Sequence, residues 1–432
     1  MPIPANGRLD IGPFSLRLVG MTHSIPEAQA IAVGTPAGTI LHTGDWKLDP
    51  QPVVGPTSDE AALQALGDEG VLALIGDSTN VFEAGRTGSE GSLQPGLRRL
   101  IAGSPRRVVV TCFASNVARL ASIAAAARDS GRAVVAAGGA LKRTYAAARE
   151  CGYLGEVPPF LEDNLAARLP PEKSLILCTG GQGEPRAALT RIINGEHPNI
   201  TLERGDTVVF STRVIPGNEA AVGRLHNMLL RLGVDVVTPR HGLIHVSGHP
   251  ARGDLEHMYA LVRPKVAVPV HGELRHMLEH ANLARTAGVP ETIIAENGAV
   301  VRLAPGPACV VDHIPTGRLS VEGNRLVPAD GELVRGRIKA IYHGSVTVTV
   351  VVERVRRAVQ QVLLSSIGVV EQGEEQIVQE MREAVRRSVE ELPAARYGDE
   401  VAVAEAARLA VRRAARQIID KRPLTHVHVV RV

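Results

Sequence analysis

The sequence predicts an α/β chain, with parallel sheets covered by helices and a separate small α+β domain at the carboxyl end. Three observations lead there. Short β-branched runs alternate with glycine-closed helical patterns over about three quarters of the length. The alternation ends after "LAPGPACVVDHIPTGR", where two long amphipathic helices and strand-like runs take over. Polar residues able to ligate metals or move protons follow several strands, which is where open α/β sheets place their sites.

The elements follow in order. "FSLRLVGM" is an apolar strand that ends just before His23. "AIAVGTPAGTILHTGD" reads as two strands around a Pro-Ala-Gly turn, the second leading to Asp45. "VLALIGDS" carries Asp77 at its end, and "RRVVVTC", "RAVVAA", "SLILCTGG", "DTVVFSTR", "VDVVTP" and "KVAVPVHG" are further short strands. Between them "SNVARLASIAAAARDSG", "EAAVGRLHNMLLRLG" and "LRHMLEHANLARTAG" have helical spacing and a closing glycine. In the last segment "KAIYHGSVTVTVVVE" is strand-like. "EEQIVQEMREAVRRSVEEL" and "DEVAVAEAARLAVRRAARQIID" are amphipathic helices, and "THVHVVRV" is a closing strand. The helical arginine-rich stretch predicts one face buried against a neighbour, and with it self-association.

Composition narrows the function classes. A chain of 432 residues, 44% hydrophobic and 22% charged, suits a soluble protein of two or three domains. No apolar run approaches the roughly 18 residues that span a bilayer. The opening "MPIPANGRLD" lacks the pattern of a secretory signal. Cys112, Cys151, Cys178 and Cys309 are scattered, without a CxxC pair, so neither a disulfide framework nor a thiolate zinc site is indicated. A reduced, cytoplasmic protein without a membrane part is expected. From Arg325 onward 18 Lys+Arg face 14 Asp+Glu, a mildly basic balance far short of a basic arm. Aromatics at 3% argue against a broad base-stacking platform, so composition permits nucleic acid without requiring it.

Seven of the fifteen histidines fall between His241 and His280. His249 in "HVSGHP" and His271 in "VAVPVHGE" lie in loops or at strand ends, beside Gly248 and Gly272, where the backbone turns tightly or comes close to a ligand. His257, His276 and His280 sit within helical patterns and read as a solvated helix face. His23, Asp45, His249 and His271 together supply imidazole and carboxylate without thiolate, a set that suits zinc or manganese acting on a hydrolytic water. Ser115 and Asn116 open a helix after a strand, where free N–H groups favour a phosphate; the plain alternative is a serine N-cap. "GGQGEP" is a glycine-rich loop of low specificity.

The ordered elements "MTHSIPE", "LHTGDWKLD", "IGDSTN", "CFASNVARL", "CTGGQGEPRAAL", "STRVIPGNE", "HVSGHP" and "VPVHGE" resemble ribonuclease J, a β-CASP branch of the metallo-β-lactamase fold. The resemblance implies a partial metallo-β-lactamase domain over 1–80, a β-CASP domain over 81–240, the first domain continued over 241–315, and a carboxyl-terminal α+β domain over 325–432. It implies His23, Asp45 and His271 as metal ligands, with Asp45 bridging two zinc ions (manganese being the alternative). It implies Asp77 and His249 as catalytic residues. Ser115, Asn116, His245, Val246, Ser247, Gly248 and His249 would line the RNA path. Asn116 and Ala118 stand where many members carry histidine. The implied activity is 5′-to-3′ exonucleolytic and endonucleolytic cleavage of RNA by a homo-oligomer formed through the carboxyl-terminal domain.

The family's HxHxDH loop, which supplies most ligands of both metals, does not occur in this sequence. The reading therefore expects the amino-terminal part of the metallo-β-lactamase domain to be missing, leaving an unpaired sheet edge and an apolar face. It also expects weak metal retention and poor hydrolysis. Two alternatives stand beside it: a catalytically silent RNA-binding or assembly partner, and a β-CASP hydrolase of another phosphodiester or an ester.

Overall fold

The computed structural model describes residues 3, 4, 6–353 and 358–432. Residues 1, 2 and 5 of the opening stretch, and 354–357 of the last domain, lie outside the described residues. The chain divides into two compact units, Met1–Ile314 and Pro315–Val432.

The first unit begins with an antiparallel meander of β1 (Arg8–Ile11), β2 (Phe14–Gly20), β3 (Gln29–Thr35) and β4 (Gly38–His42). Helix α1 (Glu60–Glu69) then leads to β5 (Val71–Asp77), which pairs parallel with β4. Asp59 caps α1, its carboxylate accepting the Ala62 N–H at 2.9 Å. From β5 the chain leaves this sheet and builds a second one. Its elements are α2 (Gln94–Gly103), β6 (Val108–Thr111), α3 (Val117–Asp129), β7 (Ala133–Ala137), α4 (Gly139–Glu150) and β8 (Leu161–Glu162). They continue with β9 (Ser174–Cys178), α5 (Ala188–Ile193), β10 (Thr207–Phe210), α6 (Glu219–Arg231) and β11 (Asp235–Val237). The second sheet is wholly parallel, in the order β11-β10-β6-β9-β7-β8. Its strands are near-continuous valine and leucine runs because helices cover both faces.

The chain then returns through α7 (Arg252–Val262), β12 (Val266–Val270), α8 (Leu274–Thr286) and β13 (Glu291–Thr292), completing the first sheet in the order β1-β2-β3-β4-β5-β12-β13. A short antiparallel pair, β14 (Ala299–Arg302) and β15 (Cys309–His313), ends the unit. One core joins Trp46, Leu41, Leu63 and Leu74 to Leu255, Tyr259 and Val262 of α7. At the β1 side of this sheet Ile11, Phe14 and Ile31 are exposed.

Direction within the first sheet decides the site. Strands β2 and β4 run the same way because each is antiparallel to β3, while β5 and β12 are parallel to β4. The carboxyl ends of β2, β4, β5 and β12 therefore share one edge, and the residues just beyond them meet there.

The second unit holds a hairpin, β16 (Leu319–Glu322) and β17 (Arg325–Pro328), then α9 (Glu332–His343), β18 (Ser345–Val352) and β19 (Val359–Ile367). It closes with α10 (Glu375–Glu390), α11 (Ala394–Tyr397), α12 (Glu400–Ile419) and β20 (Leu424–Arg431). The sheet order is β19-β18-β20, antiparallel on one side and parallel on the other. Val346, Val348, Val350 and Val352 point to α10 and α12, where Met381, Val385, Val389, Val403 and Val411 complete a separate core. "KAIYH", read above as strand, closes α9 instead. Gly344, at φ 71°, ends that helix and frees the next residue to start β18. No helix among the described residues is long and apolar enough to cross a membrane.

Candidate functional site

At the shared strand edge His23 and His271 converge on one carboxylate. His23 Nε2 lies 3.9 Å from Asp45 Oδ2, and His271 Nε2 lies 3.5 Å from Asp45 Oδ1. His249 stands between them, its ring centroid 5.1 Å from that of His23 and 5.4 Å from that of His271. His249 arrives on the loop after the second sheet, 172 residues beyond Asp77, yet its Nδ1 lies 2.7 Å from Asp77 Oδ2. Insertion of the second sheet between β5 and α7 is what brings these two residues face to face.

Each imidazole is oriented from behind. His23 Nδ1 donates to the Gly248 carbonyl at 2.6 Å, which leaves Nε2 as the acceptor nitrogen, with the Ser24 hydroxyl 3.2 Å and Asp45 Oδ2 3.9 Å away. A Cβ on Gly248 would fall 2.8 Å from His23 Cε1 and from Ser24 Oγ, so only glycine allows this approach. His271 takes φ 56°, a left-handed conformation that non-glycine residues rarely hold outside functional sites. Burial pushes the His23 imidazole below its ordinary value, favouring the neutral form a metal needs. Burial also acts against charge on His249. The hydrogen bond and charge of Asp77, joined by the charge of Asp45, outweigh it and lift that imidazole above its ordinary value. Asp77 in turn is held low against burial by His249 and by the hydroxyl and N–H of Thr79.

The donor set suits a metal by its own chemistry. His23, Asp45 and His249 offer ligand atoms within 4.8 Å of one another, as do Asp77, His249 and His271. All are imidazole nitrogens or carboxylate oxygens, which fits a divalent cation of the zinc or manganese type.

The loop 245–249 is clamped from several sides. Asn80 Nδ2 donates to Ser247 Oγ at 2.8 Å and to the His249 carbonyl at 3.1 Å, and Thr87 Oγ1 donates to that carbonyl at 2.8 Å. Behind the loop runs a buried chain of charges. Lys47 pairs with Asp49 at 2.8 Å, and Asp49 accepts the Glu90 N–H at 2.9 Å. Glu90 takes a two-pronged ion pair from Arg119, 2.5 and 3.0 Å long. Arg119, 1% exposed, also donates to the carbonyl and hydroxyl of Ser211 and reaches His245 Nδ1 at 3.3 Å. Burial and the neighbouring Arg119 charge push His245 down to about 3, so it stays neutral.

The 245–249 loop and His271 open onto a cleft of about 920 Å³ in this unit. His245, Val246, Ser247, Gly248, His249, His271 and Asn116 are on its wall, together with Phe82, Phe113, Arg213, Ile215 and His276. Ser115 is exposed outside that wall. The N-cap of α3 is Asn116, not serine: its Oδ1 accepts the Arg119 N–H at 2.9 Å, so that acceptor is already engaged.

Two histidine readings are corrected. His280 is 1% exposed, not solvated; its ring bridges Ser78 Oγ and Tyr259 Oη, both at 2.9 Å. It shares a helix face with the buried Met277, Ala281 and Ala284, and that spacing was the available signal. His276 is half-buried on the cleft wall, while His257 shares a hydrogen bond with Glu60 at 2.7 Å. Sequence reasoning also missed Lys47, Asp49, Glu90 and Arg119, whose charge argued for the surface, and Phe82, which lacks any periodic neighbour.

Three family models match the chain. They are the ribonuclease J beta-CASP domain over residues 105–229, the Zn-dependent metallo-hydrolase RNA specificity domain over 233–295, and the ribonuclease J C-terminal domain over 333–432. A ribonuclease J of Sinorhizobium meliloti is 40% identical over 427 residues, which is 98% of this chain and 76% of that protein. One from Mycolicibacterium smegmatis is 38% identical over 426 residues, again 98% and 76%. One from Corynebacterium glutamicum is 40% identical over 348 residues, 80% of this chain and 48% of that protein.

Proposed function

Because the chain belongs to the ribonuclease J family of metal-dependent ribonucleases, we propose that its cleft takes an RNA strand and presents a phosphodiester to the His23–Asp45–His271 cluster. The observation that carries this reading is the convergence of His23 and His271 on the two oxygens of Asp45, with His249, held from behind by the buried Asp77, beside them; His249 and His271 reach the cleft wall.

In this reading His23, Asp45 and His271 would hold the metal, zinc in preference to manganese. A divalent cation bound there supplies positive charge at the scissile phosphate and makes water more acidic. The protein's own residues do the rest. Asp77 accepts from His249 Nδ1 and holds the imidazole protonated at neutral pH more than an ordinary histidine, so His249 Nε2 can give a proton to the leaving oxygen. Ser247 Oγ and the N–H groups of the clamped loop supply donors for phosphate oxygens. Asn116, with Oδ1 engaged, has its amide nitrogen left for the same task. Both exonucleolytic and endonucleolytic cleavage belong to the proposal, as do self-association through the carboxyl-terminal unit and a cytoplasmic location, which the four free cysteines support.

The test is filter binding of a 5′-labelled single-stranded oligoribonucleotide at two salt concentrations, with zinc or manganese content measured by elemental analysis on the same sample. Binding that weakens as salt rises is expected, since phosphate contacts release counterions. A folded sample that binds no RNA at low salt overturns the reading. Binding without cleavage under saturating metal favours the silent RNA-binding alternative.

A further inference from the structure

Phenylalanine is scarce in this chain, five residues in all, yet two of the five are exposed in the same cleft. Phe82 is 56% exposed and Phe113 39%, and Ile215 beside them on the cleft wall is 46% exposed. Phe82 meets His276 edge-on, with ring centroids 5.3 Å apart and planes at 61°. A contact of that kind leaves at least one face of the phenyl ring uncovered. Large apolar groups exposed together mark a binding surface more often than chance.

The charges around Phe82 say which part of a nucleic acid belongs there. Arg213 is paired with Glu83 at 2.7 Å and Arg275 with Glu273 at 2.8 Å, while Glu219 adds an unbalanced negative charge to the same wall. This wall offers no net positive charge to a phosphate. The 245–249 loop, by contrast, brings a hydroxyl and two imidazoles to the cleft without a carboxylate of its own. A strand whose phosphates follow that loop turns its bases toward the apolar wall.

Resting on the RNA reading above, we infer that Phe82, with His276 and Ile215, forms a stacking subsite for an unpaired nucleobase of the strand in the cleft. Base–aromatic stacking is tolerant of base identity and contributes through the π-face, so the subsite confers preference for single-stranded over paired RNA without reading sequence.

The experiment compares the full chain with Phe82→Ala and Phe82→Trp, using an oligoadenylate and an abasic ribose-phosphate strand of equal length. Phe82→Ala is expected to weaken oligoadenylate binding about tenfold, within the range for losing one stacked base, and to leave the abasic strand unchanged. Phe82→Trp is expected to keep or tighten oligoadenylate binding, with indole fluorescence quenched on addition. Equal loss for both strands, or no loss for either, overturns the subsite. A wild-type chain that binds neither strand overturns the RNA reading itself, and the two failures are thereby distinguished.

Discussion

At the scale of single residues the site depends on groups that position its imidazoles. Gly248 is the clearest, because its carbonyl fixes the His23 tautomer and a Cβ there would strike the ring. Gly248→Ala is expected to lower zinc affinity about 10–100-fold, the range for losing an outer-shell partner, with little change in urea midpoint. Competition with a chromophoric chelator measures it. His280 makes a second case. Burial pushes its imidazole down to about 4 from an ordinary 6.5, so the folded state keeps it neutral while the unfolded chain protonates it first. Stability is therefore full above about pH 6.5 and falls as pH drops toward 4, by up to about 3 kcal/mol from this residue. His280→Asn should be less stable at pH 7 and show a flatter urea midpoint between pH 7 and 5; an unchanged pH slope would refute the assignment. The contrast with the candidate ligands is instructive. The placement of His23, Asp45 and His271 at one sheet edge is legible in the sequence because each follows a strand, and strand ends collect at one edge. His280 is not legible as a residue type, since histidine occurs on both solvated and buried helix faces.

Among elements, the decisive event is departure of the chain at Asp77 and its return at His249, and the buried chain of charges keeps that return in register. Lys47, two residues past Asp45, connects through Asp49, Glu90 and Arg119 to Ser211 and His245. It ties a loop of the first sheet to α3 and to the loop after β10. Removing one member strands a buried charge, which costs about 3–5 kcal/mol, whereas replacing both partners by apolar groups is often close to neutral. Arg119→Met is thus expected to lose about 3–5 kcal/mol of stability by urea denaturation, and Arg119→Met with Glu90→Leu to regain most of it. If the double variant is no more stable than the single one, the pair is not the unit argued here. Strands and helices themselves were readable from period and glycine punctuation. The network was not, because its four charged members sit in "DWKLD", "SE" and "NVARL", where composition alone points to the surface. Only the crossing of two sheets buries them. "KAIYH" failed for a related reason: β-branched and aromatic residues suit either period, and the helix end is set by Gly344.

On the scale of the whole molecule, the chain divides into two compact units, and the second, with a core of its own, has what it needs to fold by itself. Its valines on β18 meet α10 and α12 in a closed cluster that includes Met381, Val385, Val403 and Val411. Its remaining surface is unusual. Helix α9 has no buried residue among those described, and Ile341 and Tyr342 are 79% and 73% exposed. Ile367 and Leu363 are exposed on β19, with β18 paired to both neighbours and β19 forming one border of the sheet. Isolated exposed apolar residues are ordinary; a cluster carried by one helix and one sheet border is the kind of surface that a second copy covers. Residues 315–432 are therefore expected to give a cooperative unfolding transition alone and a monomer–dimer equilibrium by analytical ultracentrifugation. Ile341→Glu with Tyr342→Ser should shift that equilibrium toward monomer at least tenfold while leaving the urea midpoint in place, since neither side chain contributes to the core. A wild-type unit that sediments as a strict monomer at high concentration would show that this surface serves no self-association. Dimerisation untouched by the double variant would move the contact from α9 to the β19 border.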